Sequence, residues 1–156
     1  MTRISSKISI FGAVAASLRT GLASAITQDN ASRDYDGPSY DPESLAEEFE
    51  RVSGQAPLTF ATESLPDGAY SATEEFCEAN KIGFRRFSEP GVNENGELRV
   101  YFPDMDTPAV VFASVEQEPV IPFCGLKQAA LEGKTLAEVI AIFEVFDREV
   151  PPFKLS

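Results

Sequence analysis

The chain has 156 residues, with 25 acidic and 13 basic side chains, no histidine, no tryptophan and two cysteines, for a formal net charge of −12. That field repels phosphate backbones and anionic lipid surfaces, which argues against nucleic-acid binding and against a membrane-surface role. The missing histidine removes Ser-His-Asp and Cys-His catalysis, His-ligated zinc or copper, and any His-based pH switch.

The charges are unevenly placed, and no acid occurs in the first 28 residues. Arg3 and Lys7 open the chain, an apolar run of 11 residues follows from Ile8 to Leu18, and Ala23-Ser24-Ala25 supplies a small-x-small exit. A basic start, an apolar stretch and such an exit are the three parts of a secretory signal peptide. Residues 1–25 therefore read as a cleaved leader, and the protein as secreted or periplasmic. Arg3, Lys7 and Arg19 among Ser5, Ser6, Ser9 and Ser17 also meet the composition of a mitochondrial or plastid transit peptide. An imported organellar complex subunit is the alternative on that ground. Cleavage after Ala25 removes three bases and no acid, taking the net charge from −12 to −15. A bilayer span needs about 20 apolar residues, so no membrane span is expected after cleavage.

Residues 26–41 are polar, acidic and turn-rich, and read as a flexible linker. They contain Asn30-Ala31-Ser32, a glycosylation sequon of consequence only in a eukaryotic host. A single domain is expected over 42–156. It opens with a helix: Asp41 caps, Pro42 suits the first turn, Leu45, Ala46, Phe49 and Val52 form one stripe, and Gly54 ends it. Residues 57–62 read as a strand. Ser71 to Glu74 read as a capping box for a second helix with Ala72, Phe76 and Ala79 on its apolar face.

The period then changes. Ile82, Phe84 and Phe87 mark a strand, Pro90 to Gly96 a turn, and Leu98, Val100 and Phe102 an alternating strand. After the turn Pro103–Pro108 come the apolar strand 109–115 and a short strand at 119–123. Turn-length links between sequential strands imply an antiparallel meander. A short helical turn is expected over 127–131, before a capping box, Thr135 to Glu138, that opens the most apolar segment. Nine of the thirteen residues from Thr135 to Asp147 are apolar, so that helix is either the central element under the sheet or an oligomer face. The fold expected is α+β: one domain, an antiparallel sheet of three to five strands against two to three helices.

Few residues are candidates for chemistry. In a secreted setting Cys77 and Cys124 are expected to form one disulfide, because their 47-residue separation fits no zinc or redox motif. Asp104 and Asp106, two positions apart after a strand, are the candidate metal ligands of a carboxylate-dependent enzyme, although Asp-x-Asp also suits a polar turn. Arg85 and Arg86 form the one basic spot with anion-binding character, with an internal salt bridge as the plainer role. No motif implies a cofactor. The reading that follows is a small secreted acidic interaction protein without catalytic activity, of the effector, inhibitor or ligand-binding kind. Its partner is a protein or a small apolar ligand, and the 135–147 helix offers a surface for oligomerisation.

Overall fold

The structure is a computed structural model that describes residues 3–91 and 95–156. In chain order the elements are β1 (Arg3–Val14), α1 (Arg19–Gln28), α2 (Pro42–Val52), β2 (Leu58–Pro66), α3 (Ser71–Ala79), β3 (Gly83–Ser88), β4 (Gly96–Tyr101), β5 (Ala109–Ala113), β6 (Pro119–Val120), α4 (Phe123–Leu131), α5 (Leu136–Phe143) and β7 (Phe153–Leu155). Short 3₁₀ turns at Ala16–Leu18 and Glu144–Phe146 complete the path.

One open sheet organises the molecule, in the order β2-β1-β3-β4-β5-β6 with every neighbour antiparallel, and β7 pairs the end of β1 in parallel. β1 is central. Its burial alternates along the strand, because Ser6, Ile8 and Ile10 face the helices while Ser5, Lys7 and Ser9 face the other way. Gly12, with φ +88°, takes a left-handed conformation that bends β1 out of its pairing with β3 and into its pairing with β7.

Helices α1, α2 and α3 cover the first face over β2, β1 and β3. Ile8, Ile10, Leu22, Ile26, Phe49 and Phe60 belong to one fully buried cluster there. On the second face, a smaller cluster of Phe11, Phe87, Leu98, Val100, Phe102 and Phe146 packs under the C-terminal segment. Phe11 lies opposite Gly83, and a Cβ at Gly83 would clash with its ring, so the glycine provides the room for that aromatic.

The α+β class and the β3–β4–β5 meander are as expected, but among the described residues the sheet has seven strands rather than three to five, with five α-helices. The added strands are β1, within the leader-like segment, and β7, whose three residues are too few to show a period. Residues 26–41 do not form a separate linker. Ile26, Ala31 and Tyr40 are buried, Tyr40 packs edge-on to Phe60 at 5.4 Å, and Ser32 donates to the Ala61 carbonyl at 2.7 Å. The Asn30 side chain is exposed, but the Ser32 hydroxyl of its sequon is committed to that internal bond. Of the expected turn Pro90–Gly96, residues 92–94 lie outside the described residues.

The expected disulfide is corrected as well. Cys77 is buried in the core under α3 and Cys124 is exposed at the start of α4, and both are free thiols. One thiol faces the core from α3 and the other faces solvent on α4, a difference that their spacing in the chain does not reveal. Burial pushes the Cys77 thiol far up, which makes it an inert core residue.

Local signals at helix starts fare unevenly. Asp41 accepts from the Ser44 amide at 2.8 Å with Pro42 in the first turn, and Thr135 accepts from the Glu138 amide at 3.2 Å. The Ser71 capping box is not made. Asp29, at the end of α1, accepts from the amides of Ala72 and Thr73 at 3.1 and 2.8 Å and caps α3 from across the fold. The buried face of α3 is accordingly Thr73, Glu74 and Cys77, and Ala79 is exposed.

Candidate functional site

The two faces of β3 separate the paired arginines. Arg86 points into the helical face and is buried, donating to Glu74 Oε1 at 2.9 Å, to Glu97 Oε1 at 2.7 Å and to the Ser88 hydroxyl. Burial pulls its guanidinium down, but Glu74 and Glu97 together hold it above its ordinary value. Burial likewise pushes the Glu74 carboxyl up, against the pull of Arg86 and Arg99. Arg99 continues the network, with its Nη2 at 3.4 Å from Glu78 Oε1. The plainer reading of Arg86, an internal salt bridge, therefore holds. Arg85 projects from the opposite face, where its Nη1 donates to the Phe146 carbonyl at 3.0 Å, so the two arginines form no common anion site.

Asp104 lies in the turn after β4, where both of its oxygens accept from Arg148 Nη1 at 2.9 and 3.1 Å. That bond holds its carboxyl below the usual carboxylate range. Asp106 is exposed in the same turn, and no group of three or more His, Cys, Asp or Glu side chains suited to a metal ion occurs among the described residues.

The charged network marks a boundary. On one side of it α1, α2 and α3 cover the sheet; on the other, the same face of β5 carries Val110 and Phe112, which are only about half covered. β6 is only two residues long and pairs only with Phe112 and Ala113, leaving 109–111 as an outer edge. Two apolar grooves adjoin this edge. One, of about 220 Å³, lies between β5 and β6 with Val110, Phe112, Val120 and Ile121 along it; the other, of about 380 Å³, runs between β6, α4 and α5 past Leu126, Leu136 and Ile140. They share Ile121 and Phe143, so the surface is continuous.

The helices of this region contribute little to the core. Among the described residues, α4 buries only Ala129 and α5 only Val139, and the segment after α5 anchors them through Phe146. Phe123, Leu131 and Leu136 are 78%, 77% and 72% exposed. The seven exposed groove residues, Val110 to Ile140, present apolar area on the order of 600 Å², at the upper limit of the largest patch on an ordinary monomer. The charges that line the grooves are Glu97, Glu144 and Asp147, all acidic.

No family model matches the chain, and no curated protein or solved structure matches it. The site must be read from its own chemistry. Sequence reasoning singled out the 135–147 helix for its apolarity but not the contribution of β5 and β6, since an apolar strand carries no sign of whether its outer face is covered. A wider concavity, about 610 Å³ between α1 and α3, is lined mostly by small and polar groups such as Gly21, Ser24, Gln28 and Ser71, with Phe76 beside them. Its one carboxylate with a defined task, Asp29, is used in capping α3.

Proposed function

We propose that this protein is a non-catalytic interaction module that docks through the surface of β5, β6, α4 and α5 onto a partner protein whose apolar ridge is bordered by Lys or Arg. The observation that carries this reading is the clustering of exposure: of the twelve large hydrophobic side chains left exposed among the described residues, eleven fall between Val110 and Ile142. A surface of this size supplies the apolar centre of the ~800 Å² that one side of a standard interface contributes. Phe112 and Phe123 are its aromatic anchors.

Charge favours a basic-rimmed partner over a second copy of the chain. The grooves are edged by Glu97, Glu144 and Asp147 on a molecule of net charge −12, so pairing two copies would bring like charges together at the rim. The openness of both grooves to solvent suits a protein surface better than an enclosed small ligand.

We also infer that residues 3–28 remain part of the working domain. A product starting at Ile26 would lose β1, the strand between β2 and β3, together with Leu22 and Ala25 of the core. Export with that cleavage and this fold therefore exclude one another. A mature protein that keeps Arg3 onward supports the inference, and a folded product beginning at Ile26 refutes it; mass spectrometry of the intact protein decides.

The docking reading is tested with Leu136→Ser/Ile140→Ser. This variant should fold and stay monomeric but lose capture of a partner that the parent chain retains, and that capture should weaken as salt rises. Capture that the double variant leaves unchanged overturns the assignment. A dimer of the parent chain that the same variant dissolves would give the surface to a second copy instead.

A further inference from the structure

The second face of the sheet carries a feature unrelated to the docking surface: a dent of about 180 Å³ lined by Lys7, Ser9, Thr59, Arg85, Phe87 and Gln117. None of these residues lines either apolar groove. We propose that this dent binds a phosphate group, as inorganic phosphate or as the monoester of a small molecule.

The register builds the dent. Lys7 lies opposite Phe87 and Ser9 opposite both Arg85 and Thr59, so Lys7 and Arg85 are diagonal neighbours on one face of adjacent strands. Like charges placed so close repel, at a cost in sheet stability. In a chain with 25 acids, no acidic side chain lines the dent, and neither Lys7 nor Arg85 forms an ion pair among the described residues. An anion seated between them removes that repulsion.

The remaining groups are donors suited to an oxyanion. Arg85 is held in place by its bond from Nη1 to the Phe146 carbonyl, which leaves its other N–H groups for a ligand. The Ser9 and Thr59 hydroxyls lie 2.9 Å apart; one donates to the other, and the second hydroxyl hydrogen remains to point outward. Gln117 reaches the rim from the turn between β5 and β6, where its backbone has φ +64°, a left-handed conformation uncommon for a residue with a side chain. Two cations with an amide and a free hydroxyl match a doubly charged, acceptor-rich group better than a single carboxylate. The volume admits a phosphate with its first waters and excludes a whole nucleotide.

The test is a titration of the full chain, followed by amide NMR shifts, with inorganic phosphate, glycerol 3-phosphate and acetate at low ionic strength. Phosphate or its ester should give saturable shifts centred on Ser9, Arg85 and Gln117, and acetate should bind more weakly. The arm that saturates at lower concentration distinguishes the ester from the free ion. Lys7→Gln, at an exposed strand position, should keep the fold and weaken binding about fivefold or more. Gln117→Ala should weaken it less, without altering the strands. Shifts that never saturate, or a Lys7→Gln titration that matches the parent chain, would overturn the proposal.

Discussion

Residues 3–28 and residues 109–142 are the two apolar regions of this chain, and the fold treats them in opposite ways. In the first, Ile8, Ile10, Phe11, Val14, Leu22 and Ile26 are all buried. In the second, Phe123, Leu131 and Leu136 remain largely in solvent, and Phe112 and Ile140 about half so. The difference lies in the neighbours that each meets. β1 has strands on both sides and three helices on one face, whereas β5 has a two-residue neighbour along one edge and a half-exposed face. An apolar side chain is buried only where some other element arrives to cover it; what is left uncovered becomes a surface for another molecule.

The contrast can be broken most severely from the N-terminal side. A chain beginning at Ile26 should not fold at all, since it loses the strand that joins β2 to β3; circular dichroism and amide shift dispersion should both show an unfolded ensemble. Retained native dispersion would mean that β1 is dispensable and that the two regions are not opposites.

Next in size is the boundary between the covered and uncovered halves. Arg86→Met should cost about 3–5 kcal/mol by urea unfolding, because it leaves the Glu74 carboxylate buried beside Arg99 alone. Adding Glu74→Leu to that variant should recover much of the loss, since an apolar pair of similar volume needs no charge partner. A loss that the second substitution leaves in place would show packing, not charge burial, to be the cause.

A smaller effect is expected where the turn before α2 is tied to that helix. Glu48 accepts from Arg51 and Arg33, and these bonds hold its carboxyl below its ordinary value. A depressed folded value means that the stabilisation is complete above the unfolded carboxylate range near pH ~4.3 and fades as pH falls through the folded value. Glu48→Gln should flatten that part of the acid limb in a series of denaturation curves. An unchanged slope would place the acid sensitivity elsewhere.

The smallest effect belongs to the exposed region. Leu136→Ser and Ile140→Ser should each shift stability by no more than about 0.5 kcal/mol, since neither side chain is covered. Ile10→Ala, by contrast, should cost about 2–5 kcal/mol. Equal costs at Ile10 and Ile140 in thermal melts would erase the distinction between the two regions.

Much of the architecture is legible in particular residues. Asp41 and Pro42 announce α2, Thr135 and Glu138 announce α5, and the alternation of Leu98 and Val100 with Arg99 marks β4. Each of these signals acts over a few residues and needs no partner from afar. The candidate docking site was half legible. The apolarity of 135–147 is written in the chain, but the exposure of Val110 and Phe112 depends on where α1, α2 and α3 stop. Ser71 misled for a related reason: Asp29, 42 positions earlier, reaches the start of α3 first.

By itself, then, the sequence determined the α+β class, the central meander, the caps of α2 and α5, the acidic charge and the absence of imidazole chemistry. Those properties follow from composition and from patterns shorter than about 15 residues. The tertiary fold alone set the strand of the leader-like segment between β2 and β3, kept Cys77 and Cys124 apart, sent Arg85 and Arg86 to opposite faces, and left the most apolar helix largely in water. Each of these depends on contacts between residues tens of positions apart, and a local pattern carries no record of which distant element will come to lie against it.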